Sequence, residues 1–186
     1  MRLFIAIEIS QEVRAALAAL LKEFRAMAPQ VKWVRPENMH LTLKFLGETH
    51  SSKLTAMQAA LSAIRSSQPI TLHFRGLGFF PNAKRARVLW AGMEASPNLP
   101  ALATEIDQAM HKLGFPLEDR PFTPHMTLAR LQPPGLPPKL AAAAQEYASR
   151  EFGSLMAREF HLIESNLKPA GAEYTTLQSF SFVAEA

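Results

Sequence analysis

The sequence predicts an α+β fold of two pseudo-symmetric lobes, each a β-sheet whose outer face is covered by helices. Three observations support this prediction. The hydrophobic periodicity reads as β-α-β-α-β, and the same order of elements then occurs a second time. The pattern R-P-x-x-x-H-x-T-L starts at Arg35 and again at Arg120, a step of 85 residues. Strands that alternate polar and apolar residues indicate sheets with one face open and the other face packed on helices.

The first half of the chain contains local signals for each of its elements. A serine precedes the first apolar helical stripe, where its side chain can cap the helix. A proline ends that stripe, and a glycine ends the strand that carries the first motif. The predicted elements are a strand at 3–7, a helix from Ser10 to Pro29, a strand from His40 to Leu46 that Gly47 closes, a helix from Ser51 or Ser52, and a strand at 70–74.

The second half repeats this order. The predicted elements are a strand at 87–92, a helix from Leu99 to Gly114, a strand at 125–131, a rigid proline-rich loop at 133–138, a helix carrying Leu140 and Tyr147, and a strand around 160–162. We therefore expect one bilobal domain over 1–186. Its pseudo-repeats cover approximately 1–83 and 84–170, and a C-terminal strand covers 173–184.

Composition excludes several classes of protein. The 186 residues are 48% hydrophobic and 19% charged, which suits a compact domain with a real core. The net charge of +4 favours an anionic ligand without identifying one. There is no cysteine, which rules out disulfides and thiolate metal sites. The apolar stretch 15–21 is too short to span a bilayer, so we expect a cytoplasmic protein without a membrane partner.

The repeated motif places one imidazole and one hydroxyl on the same face of each strand. Side chains alternate along a strand, so His40 and Thr42 share a face, and so do His125 and Thr127. If the lobes are related by a twofold axis, the two pairs converge across a cleft. One histidine then serves as a base while the other serves as an acid, and the hydroxyls donate to an anion between them. This arrangement suits in-line displacement at phosphorus.

Two other interpretations of the motif compete with catalysis. A single H-x-T on a strand is usually packing or surface, and two copies can also persist from a duplication without any function. Metal binding is disfavoured, because imidazoles and hydroxyls alone make a poor site and neither motif has an acid at the alternating positions. We expect no metal and no cofactor.

The residues around the motif resemble a known family. The segments R-L-F-I-A-I, H-L-T-L-K-F-L-G, R-V-L-W and P-H-M-T-L-A-R occur in this order over nearly the whole chain. In sequence and spacing they are similar to the bacterial RNA 2′,3′-cyclic phosphodiesterases, also called 2′-5′ RNA ligases. These belong to the two-histidine phosphoesterase superfamily.

The resemblance implies two antiparallel sheets around a central, positively charged groove. It implies metal-independent hydrolysis of RNA 2′,3′-cyclic phosphate ends to 2′-phosphomonoesters, with 2′-5′ ligation as the reverse reaction. His40 would be the proton donor to the departing 3′ oxygen, and His125 the proton acceptor that activates water. Thr42, Thr127 and Arg130 would bind phosphate oxygens. From the residues alone, either histidine fits either role.

Arg130 requires an irregular strand. On an ideal strand its side chain would point away from His125, so a twist or bulge must redirect it. Its counterpart in the first copy of the motif is Phe45, so the duplication is asymmetric at this position.

Three further residues are candidate substrate contacts. Arg85 lies in a short basic cluster that could steer an RNA backbone, although a solvated loop explains it equally well. Trp33 and Phe80 could stack on a terminal base, although such aromatics are more often core or loop anchors. The remaining histidines, including His161, are expected to be structural or on the surface.

Two other functions stay open beside the RNA phosphodiesterase. The same chemistry could act on a small cyclic nucleotide, or the chain could hold RNA ends without turnover. Loss of either histidine would abolish catalysis by an acid–base pair, whereas a binding module would tolerate it. We expect RNA with a 2′,3′-cyclic phosphate end as ligand, no protein partner, and a monomer.

Overall fold

A computed structural model describes residues 1–132, 135–169 and 171–183. These ranges contain four α-helices and nine strands. The helices are α1 Gln11–Met27, α2 Leu54–Ser62, α3 Asn98–His111 and α4 Pro138–Glu146. The strands are β1 Arg2–Glu8, β2 Lys32–Trp33, β3 His40–Glu48, β4 Ile70–Phe80, β5 Val88–Ala95, β6 His125–Arg130, β7 Glu151–Ala157, β8 Glu159–Lys168 and β9 Gly171–Ser181.

The strands form two antiparallel sheets. The four-stranded sheet has the order β3-β1-β8-β9, and the five-stranded sheet has the order β2-β6-β5-β4-β7. Each sheet holds one copy of the repeated motif, on β3 in the first and on β6 in the second. The predicted α+β architecture of two antiparallel lobes is confirmed.

Each sheet takes strands from both halves of the chain. β4 precedes the second copy of the motif but pairs with β5 in the five-stranded sheet. β8 follows the second copy but pairs with β1 in the four-stranded sheet. The lobes therefore do not coincide with the two halves of the chain. The pseudo-repeat bounds 1–83 and 84–170 stay a prediction about the sequence.

Helices cover the sheets on the side away from the motif. The Ser10 side chain accepts a hydrogen bond from the backbone N–H of Val13 at 3.3 Å, so α1 begins with the predicted cap. The apolar stripe of α1 is buried, and this helix packs against β7 while α3 packs against β3. Most buried side chains of both sheets and all four helices form one continuous core, and Phe4, Ala6 and Ile163 of the four-stranded sheet form a small separate cluster. This single core holds the two lobes together as one unit.

Several elements differ from the sequence-based expectations. β2 and β7 were not predicted, and β4 and β8 are longer than their predicted cores. β7 lacks a clear alternating pattern, because Gly153 interrupts it with φ +120°. β9 extends over Gly171–Ser181, where we expected a strand at 173–184. Part of the predicted loop at 133–138, and the end of that last strand at 184, lie outside the described residues.

Within the described ranges, no helix is long and apolar enough to cross a membrane.

Candidate active site

The first motif lies on the edge strand of the four-stranded sheet. His40 pairs across the strands with Glu8, and Thr42 pairs with Ala6. Both motif side chains are half-buried, whereas Leu41 and Leu43 between and after them are buried in the core. We call the face that carries the motif histidine the groove face of each sheet.

The second motif occupies the equivalent positions on β6. His125 pairs with Gly92 and Thr127 with Trp90, and both motif side chains are again half-buried. β6 is in contact with β3. The backbone N–H of Val34, shortly before the first motif, donates to the Leu128 carbonyl inside the second at 2.9 Å. The two motif strands therefore lie side by side, one from each sheet.

Both histidine rings are oriented in the same way, by a hydrogen bond between Nδ1 and a backbone carbonyl two residues earlier. His40 Nδ1 lies 3.1 Å from the Asn38 carbonyl oxygen, and His125 Nδ1 lies 2.8 Å from the Thr123 carbonyl oxygen. A carbonyl only accepts hydrogen bonds, so Nδ1 carries a proton in each ring. Nε2 is then the nitrogen that takes up or releases a proton. Each motif therefore presents one fixed imidazole with one working nitrogen.

A β-bulge redirects Arg130. Trp90 pairs with Thr127, whereas Val88, two residues away on the same face, pairs with Arg130. The extra residue on β6 turns both Leu128 and Ala129 into the core and brings Arg130 to the groove face. The predicted bulge is therefore present. Its phosphate contact remains a proposal.

An equivalent bulge occurs on β3. Ala6 pairs with Thr42 and Phe4 pairs with Phe45, three residues further on. Leu43 and Lys44 both point into the core, and Phe45 reaches the groove face with 63% of its surface exposed. The first lobe thus presents an aromatic ring where the second presents a guanidinium.

The surroundings of His40 lower its pKa. Burial is the largest cause, because a partly desolvated imidazolium loses hydration. The hydrogen bond to the Asn38 carbonyl and the charge of Glu8 act in the opposite direction, while Arg14 and His161 add to the lowering. In the free protein, these surroundings therefore favour the neutral imidazole of His40 over the charged form.

Aromatic rings flank His40 on the groove face. The Tyr174 ring meets the His40 ring edge-on, with 5.5 Å between the ring centroids. The Phe4 ring also meets the His40 ring edge-on, with 6.1 Å between the centroids. Phe4 in turn contacts Phe45 at 6.0 Å and Tyr174 at 4.9 Å. Sequence reasoning did not single out Tyr174, because it is 134 residues from His40 in the sequence. Only the folding of β9 into the four-stranded sheet brings the two rings together. Phe45 could have been found from its position opposite Arg130 in the repeat.

The predicted aromatic contacts separate into two groups. Phe80 meets His125 edge-on at 5.0 Å and lies 5.2 Å from Trp90, so it lines the second half of the groove. Trp33 instead packs against buried Phe24 at 6.3 Å, and its indole N–H donates to the Ala28 carbonyl at 2.9 Å. Trp33 pairs with Ala129, which faces the core. This packing gives Trp33 a structural role and removes it from the groove-facing set.

One end of the five-stranded sheet is basic. Lys32 pairs with Arg130, so the two side chains lie on the same face of neighbouring strands. Lys84 and Arg85 form part of the turn between β4 and β5, and Arg87 follows it. Across the described ranges, no carboxylate lies within 4.0 Å of these five cations. We call Lys32, Lys84, Arg85, Arg87 and Arg130 the basic edge.

The other end of the groove is mixed in charge. A pocket of about 350 Å³ opens beside His40. Two arginines and three glutamates line it, together with neutral residues of β9 and of the 3₁₀ turn Pro36–Asn38. The basic edge and the pocket beside His40 therefore differ in charge. In the part of the chain that the structure describes, no group of three or more histidine, aspartate and glutamate residues is arranged to hold a metal ion.

Comparison with known proteins agrees with this architecture. The model of the LigT-like phosphoesterase family matches residues 7–90 and 93–174, one segment around each motif. An RNA 2′,3′-cyclic phosphodiesterase of Archaeoglobus fulgidus is 37% identical over 180 residues, covering 97% of this chain and 99% of that protein. The enzyme of the same name from Thermus thermophilus is 36% identical over 197 residues, covering 100% and 92%.

Solved structures show the same fold. The protein TT0787 of Thermus thermophilus superposes with a TM-score of 0.82 at 34% identity, with both chains covered completely. LigT of E. coli, in a complex with 3′-AMP, superposes with a TM-score of 0.76 at 30% identity over 98% of each chain. Sequence and fold agree over the full length of the chain. The protein therefore belongs to the LigT-like phosphoesterase family.

Proposed function

We propose that this protein is an RNA 2′,3′-cyclic phosphodiesterase that opens a terminal cyclic phosphate and leaves a 2′-phosphomonoester. The observation that carries the proposal is the pair of equivalent histidines on adjoining strands, each with Nδ1 fixed by a backbone carbonyl. Relatives that match this chain over nearly its full length carry the same name. A structural remnant of a duplication would not need to keep the same ring orientation in both copies.

The reaction is a single displacement at phosphorus. His125 Nε2 accepts a proton from water as the water oxygen bonds to phosphorus. The bond from phosphorus to the 3′ oxygen breaks, and His40 Nε2 donates a proton to that oxygen. Thr42, Thr127 and Arg130 donate hydrogen bonds to the non-bridging oxygens, where negative charge increases in the transition state. The product carries the phosphate on the 2′ oxygen, and each histidine exchanges one proton.

The lowered pKa of His40 bears on this division of roles. A proton donor must be charged when substrate is bound, and burial opposes that charge in the free protein. The anionic cyclic phosphate beside the ring favours the charged form, as does Glu8. We therefore keep His40 as the donor.

A cyclic substrate with sulfur as the 3′ leaving atom tests this assignment, because a thiolate leaves without protonation. Substitution of the donor is rescued by this substrate, and substitution of the acceptor is not.

Three features support an RNA substrate over a small cyclic nucleotide. The basic edge offers five cations with no carboxylate within 4.0 Å in the described ranges, which suits a polyanionic backbone more than a single phosphate. Phe45 and Tyr174 offer a stacking surface beside His40, and Phe80 offers another beside His125. We propose that the first surface receives the terminal base and that Arg85 contacts the backbone. Ligation would place a second RNA end on the His125 side.

The deciding experiment uses a short RNA with a 2′,3′-cyclic phosphate end, in the presence of EDTA. We expect the 2′-phosphate product, resolved from the 3′-phosphate, and a loss of at least about 100-fold in kcat for His40→Ala and for His125→Ala. The mononucleoside cyclic phosphate serves as competitor and alternative substrate. Turnover of the mononucleotide alone would assign the small-nucleotide activity. Tight RNA binding without turnover, unchanged by either substitution, would make the motif a phosphate clamp.

The expected cytoplasmic location and monomeric state stay predictions. Size-exclusion chromatography with light scattering tests the second. A mass near 20.6 kDa is expected.

A further inference from the structure

Asn38 connects His40 to a distant strand. Its backbone carbonyl accepts the hydrogen bond from His40 Nδ1 at 3.1 Å. Its side-chain amide donates to the Ala172 carbonyl of β9 at 2.7 Å, across 134 residues of sequence. The same residue therefore holds the imidazole on one side and is itself held by β9 on the other.

The second histidine is supported differently. Thr123 stands at the position of the repeat equivalent to Asn38, and its carbonyl accepts from His125 Nδ1 at 2.8 Å. The Thr123 hydroxyl makes a 3.5 Å contact with the carbonyl of Pro121, two residues away. The support of His125 is therefore local, whereas the support of His40 depends on a contact made by folding the C-terminal strand into place.

β9 makes further contacts with His40 and with the residues around it. The Tyr174 ring lies 5.5 Å from the His40 ring. The Thr176 hydroxyl donates to Glu8 Oε1 at 3.4 Å, and Glu8 is the cross-strand partner of His40. β9 also packs against the 3₁₀ turn that contains Asn38. Three alternate residues of β9, at 172, 174 and 176, thus contact the surroundings of one imidazole.

We propose that Asn38 is a positioning residue for His40, and that its amide transmits the position of β9 to the imidazole. The side chain does not touch the reacting atoms. It fixes the carbonyl that sets the ring angle, and hence the direction of Nε2. This inference rests on the proposed function for its kinetic test only, since the ring orientation can be measured without any substrate.

The first test is an NMR titration of the histidine ring protons in the free protein. The Asn38 carbonyl favours the charged imidazole, so its displacement in Asn38→Ala lowers the His40 pKa further below the ordinary value. The charged and titratable groups around His40 are Glu8 on β1, Arg14 on α1, Arg35 and Glu37 before β3, His161 on β8, and Glu173 and Tyr174 on β9. All of them are kept in the variant.

The second test is kinetic, with the cyclic-phosphate RNA as substrate. We expect Asn38→Ala to lower kcat by about 10- to 100-fold, because a displaced donor nitrogen loses alignment, while KM changes less than about twofold. Asn38→Asp has nearly the same shape but cannot donate to the Ala172 carbonyl, so it should lower kcat at least as much. Thr123→Ala loses one weak local contact and should lower kcat less than Asn38→Ala.

A matched control separates positioning from general destabilisation. The Asn98 amide donates to Ser66, Gln68 and Pro69 at 3.0–3.2 Å, outside the groove. Asn98→Ala should lower thermal stability while kcat stays at the wild-type value. An unchanged His40 titration in Asn38→Ala, or wild-type kcat in Asn38→Asp, would overturn the proposal. If no variant and no wild-type protein turns over the RNA, the proposed function fails, whereas the NMR titration still decides the role of Asn38.

Discussion

A buried ion pair fixes the first motif strand to the segment that leads into the second. The Lys44 side chain is 2% exposed, and Nζ lies 2.5 Å from Asp107 Oδ1 on α3. Nζ also donates to the Pro116 carbonyl at 2.8 Å, and Asp107 Oδ2 accepts the backbone N–H of Glu118 at 3.2 Å. Lys44 points inward because of the bulge in β3. We predict that Lys44→Met strongly destabilises the protein.

The structure bounds the size of this effect. Removing one member of a buried, hydrogen-bonded pair costs roughly 3–5 kcal/mol, mainly because the other charge stays buried alone. The Asp107 side chain keeps 16% of its surface exposed, and water can reach it, which favours the lower end of that range. We expect a loss of about 3 kcal/mol in the free energy of unfolding. For a chain of this size that corresponds to about 6–12 °C in Tm.

Urea unfolding and calorimetry measure the loss directly. The double variant Lys44→Met with Asp107→Leu removes both members of the pair and leaves only the Glu118 carboxylate, which lies 3.7 Å from Lys44 Nζ and is 55% exposed, so it should recover at least about half of the loss. Lys22→Met on the exposed face of α1 is the control and should change stability by less than about 0.5 kcal/mol. A loss below about 1 kcal/mol for Lys44→Met, or a double variant less stable than the single one, would refute the reasoning.

Three further predictions concern the groove. The pKa of His40 is lower in the folded protein than in the unfolded chain. At pH values between these two pKa values, which lie at and below about 6.5, the unfolded chain binds more protons than the folded protein. His40 therefore lowers the free energy of unfolding as the pH falls through this range. Urea titrations of His40→Asn against pH should show a shallower decline than wild type, and identical slopes would contradict the burial argument. Phe45→Ala should raise KM for RNA by about 5- to 100-fold through lost stacking, with little change in Tm because the ring is 63% exposed; unchanged KM would remove Phe45 from the substrate site. Gly78→Ala should cost about 1–3 kcal/mol in urea unfolding, because its Cβ would overlap the Trp90 ring, and neutral behaviour would show that the ring moves freely.

Local signals explain why most elements could be predicted from the sequence. The start of α1 follows from Ser10 and the stripe from Val13, which depend only on neighbouring residues. Gly114 lies just beyond α3 with φ +86°, a conformation that glycine adopts without strain. The motif pairs His40 with Thr42 and His125 with Thr127 could be assigned to one face because strands alternate.

Contacts between distant segments could not be predicted in this way. The exchange of β4 and β8 between the sheets depends on which strand edges meet, and no residue in either strand encodes its partner. For the same reason Tyr174 and Asn38 were missed, since both act through β9. Trp33 was a candidate substrate contact because its side chain is aromatic, with a core or loop anchor as the alternative, and its pairing with Ala129 directs it to the core. A shift of one residue in strand register would turn the Trp33 side chain to the opposite face of the sheet.

The two bulges show how two equivalent backbone segments form an asymmetric site. Each motif strand has its extra residue at the same position, directly after the threonine, so both strands turn two side chains inward and the next one outward. The inward pair ends in Lys44 in one lobe and Ala129 in the other, and the outward residue is Phe45 or Arg130. The β-bulge is therefore common to both lobes, while the side chains that it turns inward and outward differ. An aromatic ring on one side and a guanidinium on the other give the groove a direction. A substrate with a base at one end of its phosphate can bind such a groove in one orientation, and under the proposed mechanism that orientation would give separate roles to two histidines that look alike.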